Sequence, residues 1–427
     1  MTDSTLAAPS HSTAAPQTKT VSAGSSVDST TFAIILSLSF CHLLNDMMQS
    51  LVPALYPILK ENYALSFAQV GFITLAFQFT ASMLQPVVGF YTDKNPQPYS
   101  LMVGMGFTLV GLLLMSRADT YPLILCAAAL IGMGSSVFHP EASRVARMAA
   151  GGRYGLAQSL FQVGGSLGQS AGPLLAAFIV VPAGQQSLVW FCAAAMVAMA
   201  VLFQVGNWYR ARRNAGVSVA KKGTAAGPAK ASALSRGRVI MAVCILVMLL
   251  FSKNVYQASL GSYFTFYLIA KFGVSVQTAQ FFLFAFLIGV VIGTLLGGLV
   301  GDRVGRIPVL WFSILGALPF ALMLPYANLF WTGVLTIVIA LMMASAFPAI
   351  LVYAHELLPG RVGMVSGMFF GFSFGLGGLA AAGLGRLADA YGIVFVYHLT
   401  AWLPAIGLLV WFLPDLEKDR FRKAGSV

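Results

Sequence analysis

Apolar runs of about 20 residues recur along this chain from residue 31 to 413, separated by short polar turns and one longer basic stretch. A run of that length crosses the ~30 Å hydrocarbon core of a bilayer as an α-helix. In lipid every backbone N–H and C=O must be bonded internally, which leaves a helical bundle as the fold for runs this long. The expected fold class is therefore an all-α polytopic membrane protein. The composition fits: 58% of the 427 residues are hydrophobic and only 9% are charged, against roughly 25% charged in soluble domains. Twelve spans are expected, over about 32–56, 67–91, 99–117, 121–146, 155–181, 187–208, 239–264, 277–300, 308–326, 331–355, 363–385 and 393–413. The four cysteines (Cys41, Cys126, Cys192, Cys244) all fall inside these runs, have neither disulfide-framework nor metal spacing, and read as packing residues.

The net charge of +12 is an orientation signal rather than a nucleic-acid signal. With the N-terminus inside, 20 of the 25 Lys and Arg fall on inside segments and four on outside loops. The positive-inside rule then puts both termini in the cytoplasm. Residues 1–30, rich in Ser, Thr, Ala and Pro, are expected to be a disordered cytoplasmic tail, and 416–427 a second tail. Residues 210–238 form a basic linker that divides the chain into six-helix bundles at 31–209 and 239–415.

These halves repeat each other. Gly89-x-x-x-Asp93-Lys94 and Gly298-x-x-x-Asp302-Arg303 lie 209 residues apart (298 − 89). Gly152-Arg153-x-Gly155 and Gly360-Arg361-x-Gly363 lie 208 apart (360 − 152). Asp46 and Lys253, each the lone strong charge within its run, lie 207 apart (253 − 46). Two parallel six-span repeats joined by a basic loop make the architecture of the major facilitator superfamily, whose halves are related by a pseudo-two-fold axis and whose substrate site lies between them.

A charge in the bilayer core is costly and marks a pathway or a partner. Ser39, His42, Asp46 and Gln49 follow at helical steps, and His42 and Asp46 are i,i+4 neighbours whose side chains can bond. That pair suits a proton carrier; the alternative is a structural Asp46–Lys253 pair holding the halves together. Lys253, Tyr256, Gln257 and Tyr263 share a broad face on the seventh span, where a midplane cation suits an anionic substrate. Gln158 and Gln162 belong to a second polar stripe on the fifth span. His139-Pro140-Glu141 closes the fourth span and His355-Glu356 the tenth. Neither has two ligands on one helix face and no partner ligand is apparent, so no metal is expected. Gate ion pairs with Arg144, Arg147 or Arg361 are the preferred reading, with a proton role for Glu141 also open.

The loop Gly298-Leu-Val-Gly301-Asp302-Arg303-Val-Gly305-Arg306 resembles the cytoplasmic signature of the major facilitator superfamily, with glycines for a tight turn and an Asp able to latch one conformation. The copy at Gly89 and Asp93 departs from it, continuing into Asn95-Pro96-Gln97-Pro98. Glycines at Gly164, Gly168 and Gly172 let helices pack closely. Gly168-x-x-x-Gly172-Pro173 resembles the fifth-span signature of drug/proton antiporters, with Ala176-Ala177 in place of the Gly-Gly of that pattern.

Three segments resemble the fosmidomycin resistance protein family closely: HLLNDMMQSL (42–51), SSVFHPEASRVARMAAGGRYGLAQSLFQVGG (135–165) and LLPGRVGMVSGMFFGFSFGLGGL (357–379). The resemblance covers roughly 32–415. It implies a proton-driven bacterial inner-membrane exporter of an anionic phosphonate drug, without a cofactor, and expected to be a monomer. The alternative on the same fold is a proton-linked importer of an organic anion or phosphate ester. A membrane enzyme or receptor is disfavoured, because the chain has no nucleophile motif and no soluble domain.

Overall fold

The computed structural model describes residues 2, 30–151, 154–214, 235–358 and 362–416, without the side chains at 93–94, 154–156, 158–159, 298–303, 362–364, 366–367, 370 and 374. The expected tails, most of the linker, and the Gly152-Arg153 and Gly360-Arg361 repeats lie outside the described residues. Twelve long helical segments follow one another: α1 (Phe32–Ala54), α2 (Phe67–Lys94), α3 (Ser100–Arg117), α4 (Tyr121–Ala149), α5 (Tyr154–Leu175, continuing to Ala183), α6 (Val189–Asn214), α7 (Arg236–Phe272), α8 (Val276–Val304), α9 (Arg306–Tyr326), α10 (Leu329–Leu357), α11 (Val362–Tyr391) and α12 (Ile393–Phe412). Among the described residues no strand occurs. Eleven of these segments are long and apolar enough to span a membrane, and α11, 30 residues long, makes the twelfth. An even number of spans puts the start of α1 and the end of α12 on one face, called here the terminal face.

Local chemistry explains the boundaries. Ser66 caps α2 in a reciprocal capping box with Gln69. Ser275, 209 residues later (275 − 66), accepts from the Thr278 amide to cap α8, so the internal repeat extends to the helix caps. Asn328 caps α10 through the Trp331 amide. The turn from α8 to α9 is the single residue Gly305, at φ +90°, a conformation that an L side chain resists. Gly392, at φ +82°, joins α11 to α12 in the same way. Several helices outrun their apolar cores. The 37 residues of α7 are the extreme, reaching about 55 Å at 1.5 Å per residue. The sequence pattern missed this because the extensions carry aromatic and polar residues rather than an unbroken apolar run.

Helices α1–α6 and α7–α12 form two bundles. Within the first, the glycine stripe of α5 lies on α1: a Cβ added at Gly164, Gly168 or Gly172 would collide with Ser39, Leu43 or Ser50. The second bundle repeats the device, with Gly293 and Gly297 of α8 against Leu341 and Ser345 of α10. Lipid solvates apolar side chains well, so backbone proximity rather than burial holds such pairs together. Large apolar side chains accordingly remain on the outside, among them Leu36, Phe178 and Leu379, while Trp190, Tyr326, Phe330 and Trp331 are exposed near helix ends, as in an interfacial aromatic belt. Cys41 and Cys192 are buried, as expected for packing residues. Cys126 and Cys244 are exposed, because they fall on outward faces that an apolar run alone does not distinguish.

The bundles meet along α2 and α11, and α8 reaches across to α1 and α5. Among the described residues, the contacts between α2 and α11 run from Phe67 against Gly385 to Met83 against Gly375. Gln280 of α8 donates to Ala54 O at the end of α1 (2.8 Å), and Gln277 donates to Ala177 O (3.1 Å) where α5 widens into a π turn after Pro173. These contacts run from the middle of the helices to the face opposite the termini. Towards the terminal face, Val87 and Tyr91 of α2 are exposed. The contacts between the bundles close the end opposite the termini.

Candidate functional site

The polar stripe of α1 points inward, and its residues have different fates. Ser39 donates to Leu160 O on α5 (2.7 Å). The buried His42 places Nδ1 2.8 Å from Phe161 O and its ring lies flat on Phe161, with centroids 4.0 Å apart. Gly165 makes this possible, since a Cβ there would overlap the imidazole. A carbonyl can only accept, so Nδ1 carries the hydrogen and Nε2 is directed the other way. Nε2 faces Asp46 Oδ2 at 3.4 Å.

Asp46 has a second imidazole on its other oxygen. His139 Nε2, from α4, lies 3.6 Å from Oδ1. The His139 Nδ1 sits 3.0 Å from the carbonyl of Ser135, one turn back, which fixes its tautomer in the same sense. Asn45 donates to Oδ1 at 3.0 Å. Asp46 therefore sits between two histidines of its own bundle, rather than pairing with Lys253 as the structural alternative required. Local spacing made His139 look ligand-less, and the fold corrects that: its partners come from another helix. No feature of one sequence pairs α1 with α4. The available signal was that an imidazole in an apolar run needs a polar neighbour.

Lys253 is buried in α7, and its ammonium lies over the Phe347 ring of α10, 5.4 Å from the centroid. Among the described residues no carboxylate comes within ion-pair distance of it. Beside it, Asn254 Oδ1 accepts from Ser373 of α11 (3.1 Å) while its Nδ2 is buried without a partner among the described residues. Gln49 Nε2 and Gln78 Oε1 are likewise buried and unbonded. Gln162 is exposed on α5, as is Gln169 two turns on. Polar residues exposed within a span face a cavity rather than lipid. Tyr256 differs from expectation: it is buried, lining with Gln257, Phe286 and Met343 a cleft between α7, α8 and α10 inside its own bundle. The Gln158, Asp93, Asp302 and Arg303 side chains and the Gly298 position lie outside the described residues, and Gly89 has open space around it.

Glu141, buried at 1% exposure, is held away from the histidines in a separate network. Arg144 Nη2 donates to Glu141 Oε2 (2.7 Å) and to the Tyr209 hydroxyl (2.7 Å), Arg144 Nη1 donates to Thr92 O (2.6 Å), and Ser100 donates to the same Oε2 (3.1 Å). Four helices, α2, α3, α4 and α6, are tied there, and of the three arginines that the sequence offered to Glu141 it is Arg144 that pairs with it.

Two residues that the sequence did not single out for this role close the sealed end. Asp389 of α11 accepts from the amides of Phe67 (2.6 Å) and Ala68 (2.8 Å) at the N-terminus of α2, so a carboxylate of one bundle caps a helix of the other. Tyr263 of α7 donates to Ala381 O (2.6 Å) and reaches Phe67 O (3.1 Å) beside it. Asp389 falls just beyond the expected eleventh span (363–385), where nothing in the sequence singles it out. We expect Asp389→Ala to weaken this seal by about 1 kcal/mol, roughly a fivefold shift towards the state open at this end. Cysteine labelling at positions behind the seal, in otherwise cysteine-free protein, measures it; unchanged labelling would show that the cap does not hold the seal.

The Major Facilitator Superfamily family model matches residues 38–382 and 255–426. The fosmidomycin resistance protein of Escherichia coli (strain K12) is 56% identical over 388 residues, covering 90% of this chain and 94% of that protein. An uncharacterized MFS-type transporter of Bacillus subtilis (strain 168), YfnC, is 41% identical over 392 residues, covering 92% and 95%. The solved nucleoside transporter NupG superimposes with a TM-score of 0.69 at 14% identity, covering 88% of this chain and 98% of that one. A D-xylose–proton symporter does so at 0.69 and 16%, covering 91% and 99%. Twelve spans in two bundles, a polar centre between them and these similarities agree: the chain is a membrane transporter, not an enzyme, that belongs to the Major Facilitator Superfamily and, within it, to the fosmidomycin resistance protein family.

Proposed function

We propose that the chain is a proton-coupled antiporter that exports fosmidomycin-like anionic drugs across the bacterial inner membrane, with both termini cytoplasmic. The observation that carries this reading is the Asp46 carboxylate between two imidazole Nε2 atoms, at 3.4 and 3.6 Å. Neutral rings of these tautomers present lone pairs to the carboxylate, so a proton entering either gap is bound by both sides of it.

With the terminal face cytoplasmic, the sealed end is periplasmic and the bundles part towards the cytoplasm. An anionic drug enters there and meets Lys253, whose ammonium has no carboxylate partner among the described residues. Asn254, Gln49, Gln78 and Gln162 supply polar contacts around it. The Asp46 cluster gives up its proton to the cytoplasm in this state. Rocking of the bundles then breaks the Asp389 and Tyr263 contacts, opens the periplasmic face, releases the drug and reloads the proton. Asp93, Gly298, Asp302, Arg303 and Arg306 act as the cytoplasmic latch of the opposite state, with Gly89 and Gly305 at its turns. Gly168, Gly172 and Pro173 keep α5 against α1 through the motion. Glu141 is assigned to holding the N-terminal bundle rather than to carrying the proton.

Cells making the protein should accumulate little fosmidomycin, and collapsing the proton gradient should raise accumulation to that of empty cells. Accumulation above that of empty cells, abolished by the same treatment, would instead identify an importer. Lys253→Ala should weaken transport of an anionic substrate by about tenfold, the worth of one charge-assisted contact. An uncharged analogue should be affected less, and equal losses measured by competition would remove Lys253 from the anion site.

A further inference from the structure

We propose that His42, Asp46 and His139 bind a divalent transition-metal cation of the Zn²⁺ class, through His42 Nε2, His139 Nε2 and an Asp46 carboxylate oxygen. This goes beyond the transport reading and stands on the geometry of the cluster alone.

The three side chains place one ligand atom each within 4.8 Å of the others. His42 Nε2 lies 3.4 Å from Asp46 Oδ2 and His139 Nε2 lies 3.6 Å from Oδ1, close to the roughly 3.4 Å between ligand atoms on a tetrahedral ion with bonds of about 2.1 Å. The imidazoles stand at 90° to each other with centroids 5.1 Å apart, and each places its Nε2 beside an Asp46 oxygen.

Both rings also carry the outer support that metal-binding histidines use. Each Nδ1 meets a backbone carbonyl, Phe161 O at 2.8 Å and Ser135 O at 3.0 Å, which leaves each Nε2 as the free ligand atom. Asn45 donates to Asp46 Oδ1 at 3.0 Å and orients the carboxylate.

An independent sign is the His42 Nε2 itself. It is buried, in a residue only 2% exposed, and has no hydrogen-bond partner among the described residues. Two lone pairs set against the two oxygens of one carboxylate repel it. A proton relieves one of the two gaps, whereas a divalent cation accepts from all three groups at once.

Two imidazoles with one carboxylate select Zn²⁺, Co²⁺ or Ni²⁺ over Mg²⁺ and Ca²⁺, which take oxygen ligands. The Asp46 and His139 side chains are 17% and 28% exposed, so the site has a side open to an entering ion.

The test uses full-length protein in detergent, purified without a histidine tag. Zn²⁺ binding is followed by equilibrium dialysis and Co²⁺ binding by its visible d–d absorption, with Mg²⁺ as the control. One Zn²⁺ per chain is expected, displacing Co²⁺, with no saturable Mg²⁺ site. Asp46→Asn and His139→Gln should each weaken binding by at least about tenfold, the lower end of what disrupting a metal site costs. His398→Gln, near the start of α12 beside Tyr326, should bind as the unaltered chain does. In unaltered protein, Zn²⁺ should also slow diethyl pyrocarbonate modification of His139, a readout that needs no variant. Absence of a one-to-one Zn²⁺ site, retention of full affinity in folded His139→Gln, or no protection of His139 would each overturn the proposal.

Discussion

Asp46→Asn should abolish proton-driven export while leaving the protein folded. The amide is isosteric and keeps an oxygen to accept from Asn45, now 3.0 Å away. It neither takes up nor releases a proton, and it presents no negative charge to His42 or His139. Concentrative transport should fall by about 100-fold or more, in the range associated with losing a proton-transfer group. Exchange of substrate down its own gradient should continue, since rocking of the bundles needs no charge at this position. The comparison is made in proteoliposomes, with gradient-driven uptake in one arm and counterflow in the other. Equal loss in both arms would mean that Asp46 serves the substrate or the fold, and full retention in both would remove it from coupling.

Glu141→Ala should act on stability instead. Removing the carboxylate takes one partner of a buried ion pair away from the Arg144 guanidinium, whose side chain is 14% exposed. Breaking such a pair costs about 3–5 kcal/mol. For a bundle of this size that is roughly 10 °C in thermal midpoint, read by scanning fluorimetry in detergent with the yield of monodisperse protein alongside. Glu141→Gln keeps an acceptor for Arg144 and Ser100 and should lose less, about 1–2 kcal/mol. It should still export against a gradient. A stable Glu141→Gln protein that no longer couples would return Glu141 to the proton path and contradict its assignment to the N-terminal bundle.

The contrast between these acids shows how far the sequence could be read. Span count, the two-bundle division and the glycine contacts of α5 on α1 follow from patterns within single runs, because bilayer thickness and helix pitch act locally. The tight turn at Gly305 was legible for the same reason. The His42–Asp46 contact was legible as an i,i+4 pair on one helix. His139 and Asp389 were not, since each acts on a helix distant in sequence: His139 on α1, and Asp389 on α2 across the two bundles. Lys253 was visible as a lone charge, but its neighbour Phe347 comes from α10, and apolar residues leave no mark in an apolar run. Tyr256 shared a helical face with Lys253 in projection and is nevertheless turned into its own bundle, because α7 packs on both sides along its length.

The central claim, exchange of an anionic drug for protons, is tested most directly with purified protein in proteoliposomes under an imposed pH gradient with the interior acidic. Fosmidomycin should then be concentrated inside, protons should leave as it enters, and a protonophore should abolish both. Uptake that only equilibrates the drug, at the same rate with and without the gradient, would contradict the account.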